Sequence, residues 1–273
     1  MTRTVADKHA SFRALHQQGC FVLPNPWDVG SARMLQHLGF VALASTSSGF
    51  AWTTGRPDYA VTLADVLEHL KSLCAAVDLP VNADFESGFA ADPGGVAANV
   101  GLAIQTGVAG LSIEDRELEA PFGLYETAFA AERIRAARAA IDQSKQDVIL
   151  VARTEGLLSD PTAIKPAIDK LVAFAEAGAD CLYAPGVRDK ADIAAMVRAV
   201  APKPLNVLAM APWPSVAELA ELGVRRISVG GALARVGWAA MWKAAEQIKA
   251  GSFEGLAVGM PGKPLNEIFG GFA

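Results

Sequence analysis

The chain has 273 residues, 52% of them hydrophobic and 19% charged, with a formal net charge of −5. That length accommodates one large α/β barrel or two smaller domains, and an acidic balance without a basic run argues against nucleic acid or an anionic membrane as a partner. The opening MTRTVADKHASFRALHQQG lacks the apolar run of a signal peptide, no later run reaches membrane-spanning length, and Cys20, Cys74 and Cys181 lie too far apart for a disulfide framework or structural zinc site, so a cytoplasmic location is expected.

In chain order, short apolar runs fall at 21–24 (FVLP), 40–44 (FVALA), 79–83 (LPVNA), 109–113 (AGLSI), 147–152 (DVILVA), 180–184 (DCLYA), 204–208 (PLNVL) and 225–229 (RRISV). Rich in Val, Leu and Ile, they read as parallel strands buried on both faces. Between them lie Ala-rich amphipathic segments at 28–38, 62–77, 94–106, 127–143, 163–177, 189–200, 214–222 and 232–250. In 62–77, Leu63, Val66, Leu67, Leu70, Leu73, Cys74 and Val77 recur at helical spacing, with Thr62 as N-cap and Asp65 three positions on. Gly39, Gly107, Gly178 and Gly223 stand where helices end before the next strand, the place for a left-handed cap. Eight strands each followed by a helix predict a (β/α)8 barrel as one domain, 1–273, with an extension from about residue 251. A doubly wound open sheet is the alternative, but no GxGxxG or GxxxxGK[ST] follows the first strand.

Barrel enzymes carry their chemistry at the C-terminal ends of the strands. Those ends hold Asn25 and Asp28; Thr46, Ser47 and Ser48; Asp84 and Glu86; Glu114 and Asp115; Arg153 and Glu155; and Asn206. A single carboxylate after a strand is commonly the cap of the next helix, but polar groups at six strand ends together point to a site. In an extended backbone Asp84 and Glu86 share a face, which is costly for like charges unless a cation, a proton or solvent intervenes. Oxygen ligands of this kind suit Mg²⁺ or Mn²⁺. His9, His16, His37 and His69 all lie in helical segments, and none of the cysteines is placed as a nucleophile, which leaves zinc–histidine sites and Ser-His-Asp triads without support. Ser228–Ala234 (SVGGALA) could face a phosphate with its N–H groups, but a tight turn is the preferred reading.

The order of motifs from Asn25 to Ala234 resembles the isocitrate lyase/phosphoenolpyruvate mutase superfamily. NPWDVGSA (25–32) is similar to the family's first strand-to-helix turn, and ALASTSSGFAWTTGRPD (42–58) to a substrate-binding turn with a gating loop ending in G-x-x-D. Asp84 and Glu86 match the D-x-[DE]-x-G-[YF] acids, Glu114 of LSIED (111–115) the metal-shell glutamate, and Arg153 of VART (151–154) the substrate arginine. The resemblance implies a Mg²⁺-dependent enzyme of small 2-oxo acids that works through a stabilised enolate. It implies metal contacts from Asp84, Glu86 and Glu114, with Asp84 the most direct and the two glutamates holding waters. It assigns substrate binding to Trp27, Thr46, Ser47, Ser48, Arg153 and Asn206, and catalytic roles to Asp58, Arg153 and Glu114. It also implies a homodimer or homotetramer that exchanges its C-terminal helices.

The chain departs from both main branches in one loop. Where the lyases carry K-[KR]-C-G-H and the mutases a Lys and an Asn-Ser pair, residues 114–126 read EDRELEAPFGLYE. Isocitrate-type cleavage and phosphonomutase chemistry therefore both lack their usual groups. The expectation that remains is C–C cleavage or decarboxylation of an oxaloacetate-like acid. C–P chemistry, as in a phosphonopyruvate hydrolase or phosphonomutase, and a catalytically reduced 2-oxo acid binder are the alternatives.

Overall fold

The computed structural model describes residues 3–118 and 123–272. The strands are β1 (Phe21–Leu23), β2 (Leu43–Ala44), β3 (Val81–Asp84), β4 (Gly110–Glu114), β5 (Ile149–Arg153), β6 (Cys181–Tyr183), β7 (Leu205–Leu208) and β8 (Arg226–Ser228). They pair in parallel in the order β1-β8-β7-β6-β5-β4-β3-β2. The gap between β1 and β2 is bridged just past the strands, where Ala44 N–H donates to the Pro24 carbonyl at 3.1 Å and Asn25 Nδ2 donates to the Ser45 carbonyl at 2.8 Å. Proline has no N–H to return, so this seam holds a single backbone bond rather than a ladder. The architecture is a (β/α)8 barrel.

The helices are α1 (Val5–Leu15), α2 (Val29–His37), α3 (Ser47–Thr53), α4 (Leu63–Ala76), α5 (Pro93–Ile104), α6 (Thr127–Ser144), α7 (Gly156–Ser159), α8 (Ile164–Glu176), α9 (Lys190–Val200), α10 (Val216–Glu221), α11 (Ala232–Lys249) and α12 (Gly262–Gly270). The eight expected helices are α2, α4, α5, α6, α8, α9, α10 and α11. The α4 start follows the expected cap: Thr62 Oγ1 accepts from Asp65 N–H, and the Asp65 carboxylate accepts from Thr62 N–H. Helix α3 was not expected, because STSSGFAW is too short to show a 3.6 period; Thr46 starts it by accepting from Gly49 N–H at 3.3 Å. The gating loop of the sequence reading is thereby shortened to the residues after α3. Gly39, Gly107, Gly178 and Gly223 all take left-handed φ values at their helix ends, as their positions required.

Alternation along each strand divides the core in two. Val81 and Ala83, Leu111 and Ile113, and Leu150 and Ala152 face outward into one large buried cluster with the surrounding helices. Phe21 and Leu23, Ile149 and Val151, and Cys181 and Tyr183 face the barrel axis. Each fully buried side chain of this size contributes on the order of 2 kcal/mol.

The floor of the barrel is plugged by α1. Phe12 is fully buried and meets His16 and Phe21 edge-on, with ring centroids 4.6 and 6.4 Å away. Gly110 makes room for it: a Cβ there would lie 2.7 Å from Phe12 Cε1 and 2.7 Å from Asn82 Oδ1. Polar groups reach the axis above the plug, where Arg226 Nη1 donates to Asn82 Oδ1 at 3.3 Å. No helix among the described residues is long and apolar enough to cross a membrane.

Candidate active site

Three axis-facing side chains, Asp84, Glu114 and Arg153, stand at the ends of β3, β4 and β5 and meet at the C-terminal mouth. Asp84 is held from several directions. Its own N–H donates to Ser45 Oγ at 2.8 Å, its Oδ2 accepts from Ser47 N–H at 2.9 Å, and its Oδ1 lies 3.4 Å from Arg153 Nη1. Arg153 Nε sits 3.5 Å from Glu114 Oε2 and pairs closely with Glu155. Burial opposes the charge on Arg153, but Glu155 and Glu114 lead the acids that hold its pKa well above the ordinary value. Glu155 is in turn steadied by Asp115, which accepts from Glu155 N–H at 2.9 Å, from Thr154 Oγ1 at 2.8 Å and from Lys170 Nζ at 2.6 Å.

Glu86 reaches the site by another route than the expected one. The strand ends at Asp84, and Glu86 adopts a left-handed φ of 48° in a turn closed by Gly88 N–H on the Phe85 carbonyl at 2.9 Å. The shared face of residues i and i+2 therefore does not bring the two acids together; the turn does. The Glu86 carbonyl accepts from Glu114 N–H at 2.9 Å, which ties the two glutamates through their backbones.

A small polar cavity of about 30 Å³ lies on the axis, with Asn25, Ser45, Asp84, Arg153, Tyr183 and Asn206 in its wall. Asn206 donates to Ser228 Oγ at 3.1 Å. Asn25 Oδ1 accepts from both Val229 and Gly230 N–H at 2.9 Å, so these amides of the SVGG segment serve the turn. Of the expected substrate contacts, Arg153 and Asn206 line this cavity. Ser47 stands beside it and hydrogen-bonds Asp58 as well as Asp84. The Thr46 and Ser48 hydroxyls bond each other at 3.2 Å at the start of α3. Trp27 packs between Gly49 and Gly237 and is not among the cavity-lining residues. Ser45, Ser112 and Tyr183 line the cavity without having been singled out. For Ser112 and Asn82 the signal was present: each sits two residues before an acid on the same strand, on the same face.

The electrostatics is that of crowded acids around one buried guanidinium. Burial first, and then Asp84 and Asp58, push the Glu86 carboxyl up to about 8. Burial raises Glu114 well above the carboxylate range, against the pull of Arg153. Asp58 is raised by burial and by Asp84. Oε1 of Glu86 and Oε1 of Glu114 are buried with no hydrogen-bond partner among the described residues. Among those residues no three His, Cys, Asp or Glu side chains are placed to share one ion directly. The donor set nonetheless fits a hard divalent cation held by one carboxylate and its waters: Asp84 offers the oxygen, and the unpartnered glutamate oxygens offer acceptors to those waters.

A family description, phosphoenolpyruvate phosphomutase, matches residues 12–249. The chain belongs to the phosphoenolpyruvate phosphomutase family. It is an enzyme of the wider PEP mutase/isocitrate lyase superfamily of lyases and mutases. Oxaloacetate decarboxylase of Pseudomonas aeruginosa is 32% identical over 235 residues, covering 82% of this chain and 79% of that protein. A candidate lyase/mutase of Burkholderia cenocepacia J2315 is 43% identical with a TM-score of 0.94 over 97% of each chain. Oxaloacetate acetylhydrolase, solved with its product oxalate, is 29% identical with a TM-score of 0.86 over 97% of this chain and 94% of that one. In this phosphomutase-family member the two ends of the distinctive loop after β4 pair antiparallel, with Arg116 bridged to Leu124 and Glu117 N–H donating to the Gly123 carbonyl at 2.9 Å. Residues 119–122 of the expected EDRELEAPFGLYE departure lie outside the described residues. Arg116 also lies over the Tyr59 ring, 3.6 Å from its centroid, which joins this loop to the segment bearing Asp58.

Proposed function

We propose that this enzyme breaks a C–C bond in a small 2-oxo acid, by decarboxylation of an oxaloacetate-like substrate or retro-aldol cleavage of a hydroxylated 2-oxo acid, with Mg²⁺ as the assisting ion. The observation that carries the reading is the meeting of Asp84, Arg153 and the two unpartnered glutamate oxygens at one barrel mouth. The names of the relatives, oxaloacetate decarboxylase and oxaloacetate acetylhydrolase, support the substrate class.

For decarboxylation the bond between C3 and C4 breaks, carbon dioxide leaves, and the electron pair moves onto the 2-oxo oxygen. A proton then returns to C3 to give pyruvate. Bound beside Asp84, Mg²⁺ would supply Lewis-acid stabilisation of that growing negative charge. Arg153, pre-set by Glu155 and Glu114, offers a charge-assisted hydrogen bond to the substrate's anionic end and needs no reorganisation as charge develops. Asn206 and Ser228 present polar groups to the cavity wall. The contact between Tyr59 and Arg116 would help to cover the mouth and limit water around the enolate. Asp58, hydrogen-bonded to Ser47 and within electrostatic reach of Asp84, would handle a proton at the mouth.

The same reading includes association of two or more copies through α11. Only Ala234 of this helix is buried, while Val236, Trp238, Met241, Trp242 and Ile248 are exposed. A barrel's eighth helix normally covers its own strands, so this bare apolar face suits burial against a second copy.

The deciding assay offers oxaloacetate, phosphonopyruvate and methylisocitrate to the purified protein with Mg²⁺ and follows pyruvate, oxalate, phosphate and glyoxylate. Pyruvate from oxaloacetate, well above the metal-only background, is the expected result. Phosphate from phosphonopyruvate in its place would overturn the proposal, and so would stabilisation by these acids without any turnover.

A further inference from the structure

Arg133 is the largest fully buried side chain among the described residues, 1% exposed, and it lies on α6 behind the mouth rather than in it. Burying a guanidinium is costly unless its donors are satisfied. Here the partners are backbone carbonyls. Nε donates to Ala91 at 3.1 Å, Nη1 to Glu114 at 3.2 Å, and Nη2 to both Ser87 and Ala90, the latter at 2.8 Å. One face of the guanidinium lies over the Tyr125 ring, 4.3 Å from its centroid.

The gripped carbonyls are not scattered. Three belong to the turn that follows Glu86, and the fourth is Glu114's own. That turn contains two non-glycine residues at positive φ, Glu86 at 48° and Phe89 at 54°. A residue with a Cβ is strained in that conformation and persists there only where its surroundings hold it. One rigid, planar fork therefore fixes the turn carrying Glu86 and the strand end carrying Glu114 relative to each other. A lysine has a point charge and three rotatable donors and cannot span the same carbonyls.

We infer that Arg133 is the positioning residue that sets the separation of the Glu86 and Glu114 carboxylates, and through them the affinity of the mouth for a divalent cation. This rests on the reading that Asp84, Glu86 and Glu114 hold such an ion. Supporting groups behind a metal site typically change its affinity about 10- to 100-fold when altered.

The test is Mn²⁺ binding by equilibrium dialysis, with no substrate present, on wild type and Arg133→Lys, beside thermal denaturation of both in chelator. A folded Arg133→Lys that binds Mn²⁺ about 10- to 100-fold more weakly is the expected result. A purely structural role would lower the melting temperature in chelator and leave the Mn²⁺ affinity of the folded protein unchanged, which overturns the inference. Should Arg133→Lys fail to fold, Tyr125→Leu removes the ring beneath the guanidinium and keeps every donor. Several-fold weaker Mn²⁺ binding by that variant supports the inference, and wild-type affinity overturns it. A wild type that binds no Mn²⁺ removes the ion site itself and the inference with it. Equal binding by wild type and folded variant removes the inference alone.

Discussion

Glu86→Gln isolates what a buried carboxylate does to this fold. Glu86 is 5% exposed, its Oε1 has no hydrogen-bond partner among the described residues, and its pKa is displaced from the ordinary 4.5 to about 8. The folded form thus holds the proton more tightly than the unfolded form. Stability is unaffected by this group below pH 4.5, falls as pH rises from there to about 8, and is level above. The full displacement corresponds to a penalty on the order of 5 kcal/mol for the metal-free protein at alkaline pH. Glutamine has the shape without the charge, so urea unfolding in chelator should show a clearly shallower decline between pH 5 and 8.5 for the variant. Some slope should remain, because Glu114 and Asp58 are displaced in the same direction. The slope is the decisive quantity, since a buried amide adds a pH-independent cost of its own, about 1–3 kcal/mol. Added Mg²⁺ should flatten the wild-type curve by stabilising the ionised acids. Parallel pH profiles for the two proteins in chelator would refute the reasoning.

Asp84→Ala should weaken Mn²⁺ binding by at least about 100-fold and abolish metal-dependent turnover; equilibrium dialysis showing unchanged affinity would place the ion elsewhere. Gly110→Ala forces a methyl group against Phe12, Asn82 and the Ile149 carbonyl and should cost about 1–3 kcal/mol in urea unfolding. Met241→Glu combined with Trp242→Glu should lower the molar mass seen by light scattering towards that of a single chain, whereas an unchanged mass would remove α11 from the interface.

The barrel was legible because parallel strands buried on both faces leave continuous Val-, Leu- and Ile-rich runs that no exposed element would carry. The acids at their ends stood out against that background, so Asp84, Glu114 and Arg153 could be placed at one mouth from spacing alone. Helix α3 escaped because a seven-residue helix offers too few positions for a period to show. The geometry of Glu86 escaped because a left-handed residue inside a turn leaves no mark when it is not glycine. Arg133 carries no signal of its own in the sequence. Its partners are carbonyls about 19 to 46 positions away, and carbonyls are invisible to composition. Tyr183 was hidden in a strand whose apolar residues all read as core.

The plug formed by α1 has a kinetic consequence. With Phe12, His16 and Phe21 closing the lower end of the barrel, the axis is a blind well with one opening. Under the proposed cleavage, a substrate and the fragments made from it share that opening, and the deeper fragment leaves after the shallower one has cleared the way. Release is then ordered by depth, and the last fragment to depart occupies the position that the next substrate needs, so it should inhibit competitively while the first does not.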